Sequence, residues 1–241
     1  MIEYFAKDYT GDPFQLFGTG HLIALGIILL INLSFIYVRR QSQAFKDRVR
    51  YAILAALVIS EGSWHIWNLA IGEWTIQTHL PFHLCAVFVW LSVIMLLTKN
   101  ARIYEFAYFL GIGGALQAVL TPEAGIYGLP HFRALQTLSA HGSIVTAAVF
   151  MTVVEGYRPT WSSIKRVFIW ANIYLLVVTG INLLIGSNYL YTLRKPDSAS
   201  LLDLFGPWPV YLLVAEVFAL ILCLLLYLPF ALKDRRAVAI A

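Results

Sequence analysis

The side chains with chemical potential in this sequence lie inside stretches that are otherwise apolar, and their spacing gives them meaning. Glu61, His65 and Asn68 stand at i, i+4 and i+7, which places them on one face of an α-helix. His79, His83 and Cys85 cluster at the start of a second apolar stretch. His141 lies two turns into a third, roughly 10 Å along at 1.5 Å per residue. Gln117, Asn182 and Glu216 fall near the ends of others. A carboxylate inside a membrane either pairs with a cation or takes up a proton. No Lys or Arg is expected within these spans, so histidine is the available partner and a Glu–His network is the expected arrangement.

Three chemistries fit such a network. His65, His83 and His141 with Glu61 or Glu216 are candidate zinc ligands, since zinc takes nitrogen and oxygen donors and keeps one position open for catalysis. No spacing motif supports that set, because each ligand comes from a separate stretch. Cys85 could act as a nucleophile with a histidine as base. His83 and Cys85 are two residues apart, about 200° around a regular helix, so they cannot face one centre together, and a lone buried cysteine usually packs as a small hydrophobe. The third possibility is ligand binding or a proton relay without catalysis. For Asn68, Gln117 and Asn182, interhelical hydrogen bonds of about 0.6 kcal/mol each are the simpler account; His79 reads as a boundary residue.

The elements that must position these groups follow from composition. Of 241 residues, 60% are apolar and 12% charged, and mean hydropathy is +0.75; a soluble domain carries about 25% charged residues. A helix needs about 20 apolar residues to cross a bilayer, and seven stretches qualify, at roughly 19–38, 50–70, 79–98, 104–120, 134–154, 165–185 and 208–230. The expected fold is therefore all-α, a seven-transmembrane helix bundle in one membrane domain over 1–241. Long unbroken apolar runs exclude a barrel of short alternating strands. Ala107, Gly111 and Ala115 form a small-residue stripe suited to close helix packing. The N-terminal residues lack the basic start of a cleaved signal peptide, so the first span is expected to direct insertion.

Charge sets the expected orientation. Arg39, Arg40, Lys46, Arg48, Arg50, Lys99, Arg102, Arg158, Lys165, Arg166, Lys233, Arg235 and Arg236 fall on one side, which makes 13 of the 17 Lys and Arg. Lys7, Arg133, Arg194 and Lys195 fall on the other. By the positive-inside rule the N-terminus is outside and the C-terminus cytoplasmic. The basic pI of 9.1 thus reflects membrane orientation, and no nucleic-acid partner is expected. In this frame Glu61, His65, His83, His141, Asn182 and Glu216 share the outer half as one polar chamber, and only Asn32 and Asn172 break the pattern. A seventh span without histidine argues against the zinc amidohydrolases that carry a histidine pair there, and without lysine it excludes a retinal Schiff base.

FQLFGTGHL leading into the first span, LPFHLCAV opening the third, LQTLSAHGSIV in the fifth and FGPWPVY before the seventh resemble the YwaF-like bacterial integral membrane proteins. The set runs in order along nearly the whole chain. More distantly the chain is similar to TMEM164-type eukaryotic proteins, whose resemblance implies cysteine-dependent phospholipid acyl transfer. The shared positions are His83, His141 and Gly206–Pro207–Trp208. Phe82 stands where those relatives place a cysteine immediately before the histidine, and Cys85 is not its equivalent. The resemblance implies His83 and His141 as a common site, and a bacterial plasma membrane as the location.

The combined expectation is a chamber that binds a membrane lipid or small amphipathic ligand. His83, His141 and Glu61 are its catalytic candidates for acyl transfer or hydrolysis; His65, Asn182, Glu216 and Trp208 are its substrate-binding candidates. A transporter or a ligand- or proton-sensing protein is the alternative. The sequence specifies no cofactor.

Overall fold

The computed structural model describes residues 2–197 and 200–240, with side chains over 3–197 and 200–234. Arg235 and Arg236, counted above among the basic residues after the last span, lie outside the described side chains. Among the described residues the long helices number seven: α1 (Thr19–Val38), α2 (Gln43–Ala70), α3 (Leu84–Thr98), α4 (Ala101–Leu120), α5 (Phe132–Val153), α6 (Trp161–Ile185) and α7 (Val210–Ile240). Among the described residues there is no strand. Five helices, α1, α4, α5, α6 and α7 (apolar over Val210–Asp234), are long and apolar enough to cross a membrane.

The two other helices depart from the expected limits, each for a local reason. Ser42 accepts a hydrogen bond from the Phe45 N–H and caps α2, so helix starts seven residues before the expected 50. Lys46, Arg48 and Arg50 therefore lie on the first turns of α2, and the loop before it shrinks to 39–42. In contrast, α3 begins at Leu84 instead of 79, which leaves His79 and His83 outside the helix. Pro81 disfavours helical backbone at Leu80, and local bonds take over: the His79 N–H donates to the Thr75 carbonyl and the Phe82 N–H to that of Leu80. The apolar run over 79–98 is thus part coil, part a 15-residue helix.

The chain forms two compact units, residues 1–74 with 85–157, and residues 75–84 with 158–241. The first is built around α5, which packs against α2, α4 and α1. Small residues make this possible. Gly111 on α4 faces Phe88 and Ile144, which would lie 3.3 and 3.4 Å from a Cβ there. Ala107 and Ala115, its stripe neighbours, are buried. The same helix carries a π-helical turn over Ala107–Gly111. On α5, Gly142 leaves room for Ile28 of α1.

The second unit holds α6, α7 and the 75–84 segment. Thr160 and Ser163 form a reciprocal cap at the start of α6, and Gly186, at φ 70°, ends it in the left-handed conformation. Asn172, which broke the expected depth pattern, is paired here: its Nδ2 donates to Glu216 Oε2 of α7 at 3.2 Å. Asn32 in the first unit is likewise bonded to Thr146 Oγ1 at 3.1 Å.

Candidate functional site

In the first unit the polar faces of α2 and α5 meet. Gln136 Nε2 donates to the Ser60 carbonyl at 3.2 Å, and the Ser60 and Ser139 hydroxyls lie 2.9 Å apart. These bonds lock the two helices in register and set Glu61, the next residue, against α5. Glu61 is 5% exposed. His65, one turn on, turns Nε2 toward Glu61 Oε1 at 3.5 Å. Its other nitrogen, Nδ1, accepts from Trp74 Nε1–H at 3.0 Å. An accepting Nδ1 fixes the neutral tautomer with the proton on Nε2, aimed at the carboxylate. Trp74, His65 and Glu61 thus form an ordered donor–acceptor chain.

On α5, Arg133, Gln136, Thr137 and His141 share one face by their spacing of three, four and eight. Arg133 Nη1 donates to Gln136 Oε1 at 2.8 Å and to the Thr137 hydroxyl. Its guanidinium stands 4.1 Å from the centre of the Trp64 ring on α2, a cation–π contact. His141 Nδ1 lies 2.7 Å from the Thr137 carbonyl. A carbonyl only accepts, so Nδ1 carries the proton and Nε2 keeps its lone pair as a base. The Arg133 charge acts on both Glu61 and His141. Arg133 corrects the expectation that histidine is the only cation within the spans. It occupies the first turn of α5, and its side chain is held inward by Gln136 and Thr137.

A strap from the N-terminus crosses this end of the unit. Three successive carbonyls are each held by a different ring: Phe5 by Trp67 Nε1–H at 2.8 Å, Ala6 by His131 Nε2 at 3.1 Å, and Lys7 by the Tyr127 hydroxyl at 2.9 Å. Lys7 also pairs with Glu73. His131 is fully buried and caps α5, its Nδ1 accepting the Arg133 N–H at 3.1 Å. Burial lowers its pKa, opposed by the bond to Ala6. His21 is spent in the same way, with Phe17 N–H on Nδ1 and the Val119 carbonyl on Nε2.

In the second unit, two tyrosines shape the segment that carries His83. The Tyr189 hydroxyl accepts the Leu80 N–H at 2.8 Å and donates to the Ile76 carbonyl at 2.7 Å, while the Tyr174 hydroxyl donates to the Phe82 carbonyl at 2.9 Å. Backbone groups outside regular helix are thereby satisfied, as an apolar medium demands. The His83 ring lies 5.0 Å from that of Tyr189 and 5.3 Å from that of Tyr191. Leu190 and Tyr191 both have positive φ, 57° and 54°, a strained conformation for residues with a Cβ. Asn182 stabilises it. Its Nδ2 donates to the Tyr189 carbonyl and the Thr192 hydroxyl, and its Oδ1 accepts from Ser187 and the Tyr189 N–H, at 2.6–3.0 Å.

The sequence-derived candidates therefore distribute as follows. Glu61, His65 and His141 belong to the first unit, and His83, Asn182, Glu216 and Trp208 to the second. Asn182 has both oxygen acceptor sites and both amide hydrogens engaged within its own turn. Glu216 meets Asn172, and Trp208 is 58% exposed with its Nε1–H on the Thr192 carbonyl. Among the described residues, no group of three or more His, Cys, Asp or Glu could hold a metal ion. Sequence reasoning missed Arg133, Trp74 and the capping role of His131. The spacing of Arg133 to Gln136, Thr137 and His141 was the signal for the first.

A family model described as the TMEM164 family matches residues 16–227. No curated protein and no solved structure matches the chain. With five helices able to cross a bilayer, the chain is an integral membrane protein.

Proposed function

Since this chain belongs to the TMEM164 family, we propose that it is a seven-span membrane protein that binds a lipid and acts on its ester bond. In this reading α2, with 28 residues, is long enough to span at about 42 Å, and α3 spans together with the 75–83 segment. The N-terminus lies outside and the C-terminus in the cytoplasm, supported by the 13 basic residues on one side. A bacterial plasma membrane of the YwaF-like type remains the proposed location on the motif resemblance.

The observation that carries the catalytic part is the tautomer of His141. With Nδ1–H held by the Thr137 carbonyl, Nε2 is a fixed base. It takes the proton of a water or of an acceptor-lipid hydroxyl as that oxygen attacks the ester carbonyl. The tetrahedral intermediate then expels the alcohol, which receives the proton from His141. Water yields a free acid and an alcohol; a lipid hydroxyl yields a new ester and an alcohol. Glu61, with His65 beside it at 3.5 Å, is a further candidate for proton transfer, and His83 in the second unit is a second candidate base. Neither route uses Cys85.

The test is turnover of lipid esters by the purified protein, with H141A and H83A compared singly. Loss of a general base is expected to cost about 10²–10⁴-fold in rate with the melting temperature preserved. Full activity in H141A overturns its role as base. The ordered Trp74–His65–Glu61 chain favours one second reading, a proton relay in a transporter or sensor. Proton uptake coupled to ligand binding, lost in E61Q, would distinguish it.

A further inference from the structure

We propose that the strained turn over Tyr189–Tyr191 is a clamp that fixes the imidazole of His83 in one orientation, with Tyr191 and Asn182 as its positioning residues. The inference rests on the reading of His83 as a candidate base and names what orients that base. Two rings from one short segment reach the same imidazole: Tyr189 at 5.0 Å and Tyr191 at 5.3 Å, inclined to it by 67° and 48°. On helical backbone, residues two apart point about 200° from each other and could not both meet one ring. The helical turn over Tyr189–Tyr191 is broken at Leu190, where φ is 57° and ψ 9°, and Tyr191 follows at φ 54°. This left-handed backbone is what brings both rings to one partner.

Such backbone is costly for residues with a Cβ and persists only where the surroundings over-determine it. Here they do so from two helices. Asn182 of α6 is fully buried and grips both the N–H and the carbonyl of Tyr189, at 2.8 Å each. It also reaches the Thr192 hydroxyl, beyond the turn, at 3.0 Å. From α7 the equally buried Tyr211 donates its hydroxyl to the Tyr191 carbonyl. The clamp is joined to the segment it acts on, because the Tyr189 hydroxyl bonds to Leu80 and Ile76. Tyr189 therefore faces the His83 ring and holds the backbone that carries it. A base gains from this fixity, since a misplacement of about 1 Å can cost about 10²-fold in rate.

The test is the histidine side-chain NMR spectrum of the full-length protein, labelled at histidine and held in nanodiscs, with kcat and KM for lipid-ester turnover measured on the same samples. The wild type is expected to show one His83 ring signal displaced by the neighbouring aromatic rings, assigned by its loss in H83A. Y191A should move that signal toward the position of a freely rotating imidazole and lower kcat about 10–100-fold with KM unchanged. Y191F, which keeps the ring, should restore both. N182A should release the turn with the same two effects, and Y191A keeps the test valid if N182A fails to fold. L190G adopts the left-handed backbone without strain and should keep the signal in place. A His83 signal unmoved in Y191A overturns the clamp. Full turnover in H83A overturns only the reading of His83 as a base, because the His83 signal reports the clamp independently in the other variants.

Discussion

Replacing His131 with Asn should leave the protein folded yet remove a defined part of its acid sensitivity. His131 uses both nitrogens: Nδ1 accepts the Arg133 N–H and Nε2 donates to the Ala6 carbonyl. A second proton can go only onto Nδ1, which destroys the cap. Burial accordingly holds the folded pKa below its ordinary value of 6.5. The sign follows directly. As pH falls below about 6.5 the unfolded chain takes up the proton before the folded one, so stability drops until pH reaches the folded pKa. If the folded form stays neutral throughout, linkage sets the loss at up to about 1.2 kcal/mol between pH 7 and 5.5, or about 2–4 °C in melting temperature. Asn is among the best capping residues, so H131N keeps the bond to Arg133 without a titrating group. H131L loses both bonds, at about 1 kcal/mol each. Thermal melts at the two pH values give the global effect, and hydrogen exchange at the Arg133 amide gives the local one. Identical pH dependence in wild type and H131N would refute the argument.

Other outcomes follow from the same geometry. E61Q removes the acceptor opposite His65 Nε2 and should lower lipid-ester turnover about 10–100-fold, less than H141A, in the same assay. N182A strips four bonds from the turn holding Leu190 and Tyr191 and should destabilise it by about 2–4 kcal/mol, read as faster hydrogen exchange over 187–192. G111L forces a side chain between Phe88 and Ile144 and should cost about 1–3 kcal/mol through overpacking. G142A should cost less, because the flexible end of Ile28 meets the new methyl. Denaturation of the two variants side by side checks the order.

What sequence could and could not show has physical causes. Helices α1, α5, α6 and α7 were legible because each holds an apolar run near the length a bilayer needs, and α5 differs from expectation by only one or two residues at its ends. The start of α2 was not, since amphipathic basic turns look like loop on a hydropathy reading, and only the Ser42 cap reveals helix. The start of α3 failed for the opposite reason: apolar residues around Pro81 suggest helix, but the backbone there is held by Tyr174 and Tyr189, more than 90 positions away. Arg133 was assigned to a loop because it lies at the polar edge of an apolar run. Helical side chains lean toward the N-terminus, so Gln136 and Thr137 lean back to meet it and draw its charge into the first turn.

Histidine roles divide on a distinction that residue type conceals. An imidazole is free for chemistry only if one nitrogen remains unspent, and position relative to a helix decides that. At the cap of α5, His131 loses Nδ1 to the N–H two residues ahead; in the first turn of α1, His21 loses Nδ1 to the N–H four residues behind. Each then spends Nε2 on a distant carbonyl. Deep within a helix every nearby N–H is already donated, so His141 can only give its Nδ1 proton to the carbonyl of Thr137. That leaves Nε2 open. His65 spends Nδ1 on Trp74 and points its remaining proton at Glu61, which suits relay more than base catalysis. Depth within a helix, which sequence does report, therefore ranks His141 above His21 and His131 as a base, while the partners that set the tautomer of His65 come from the fold alone.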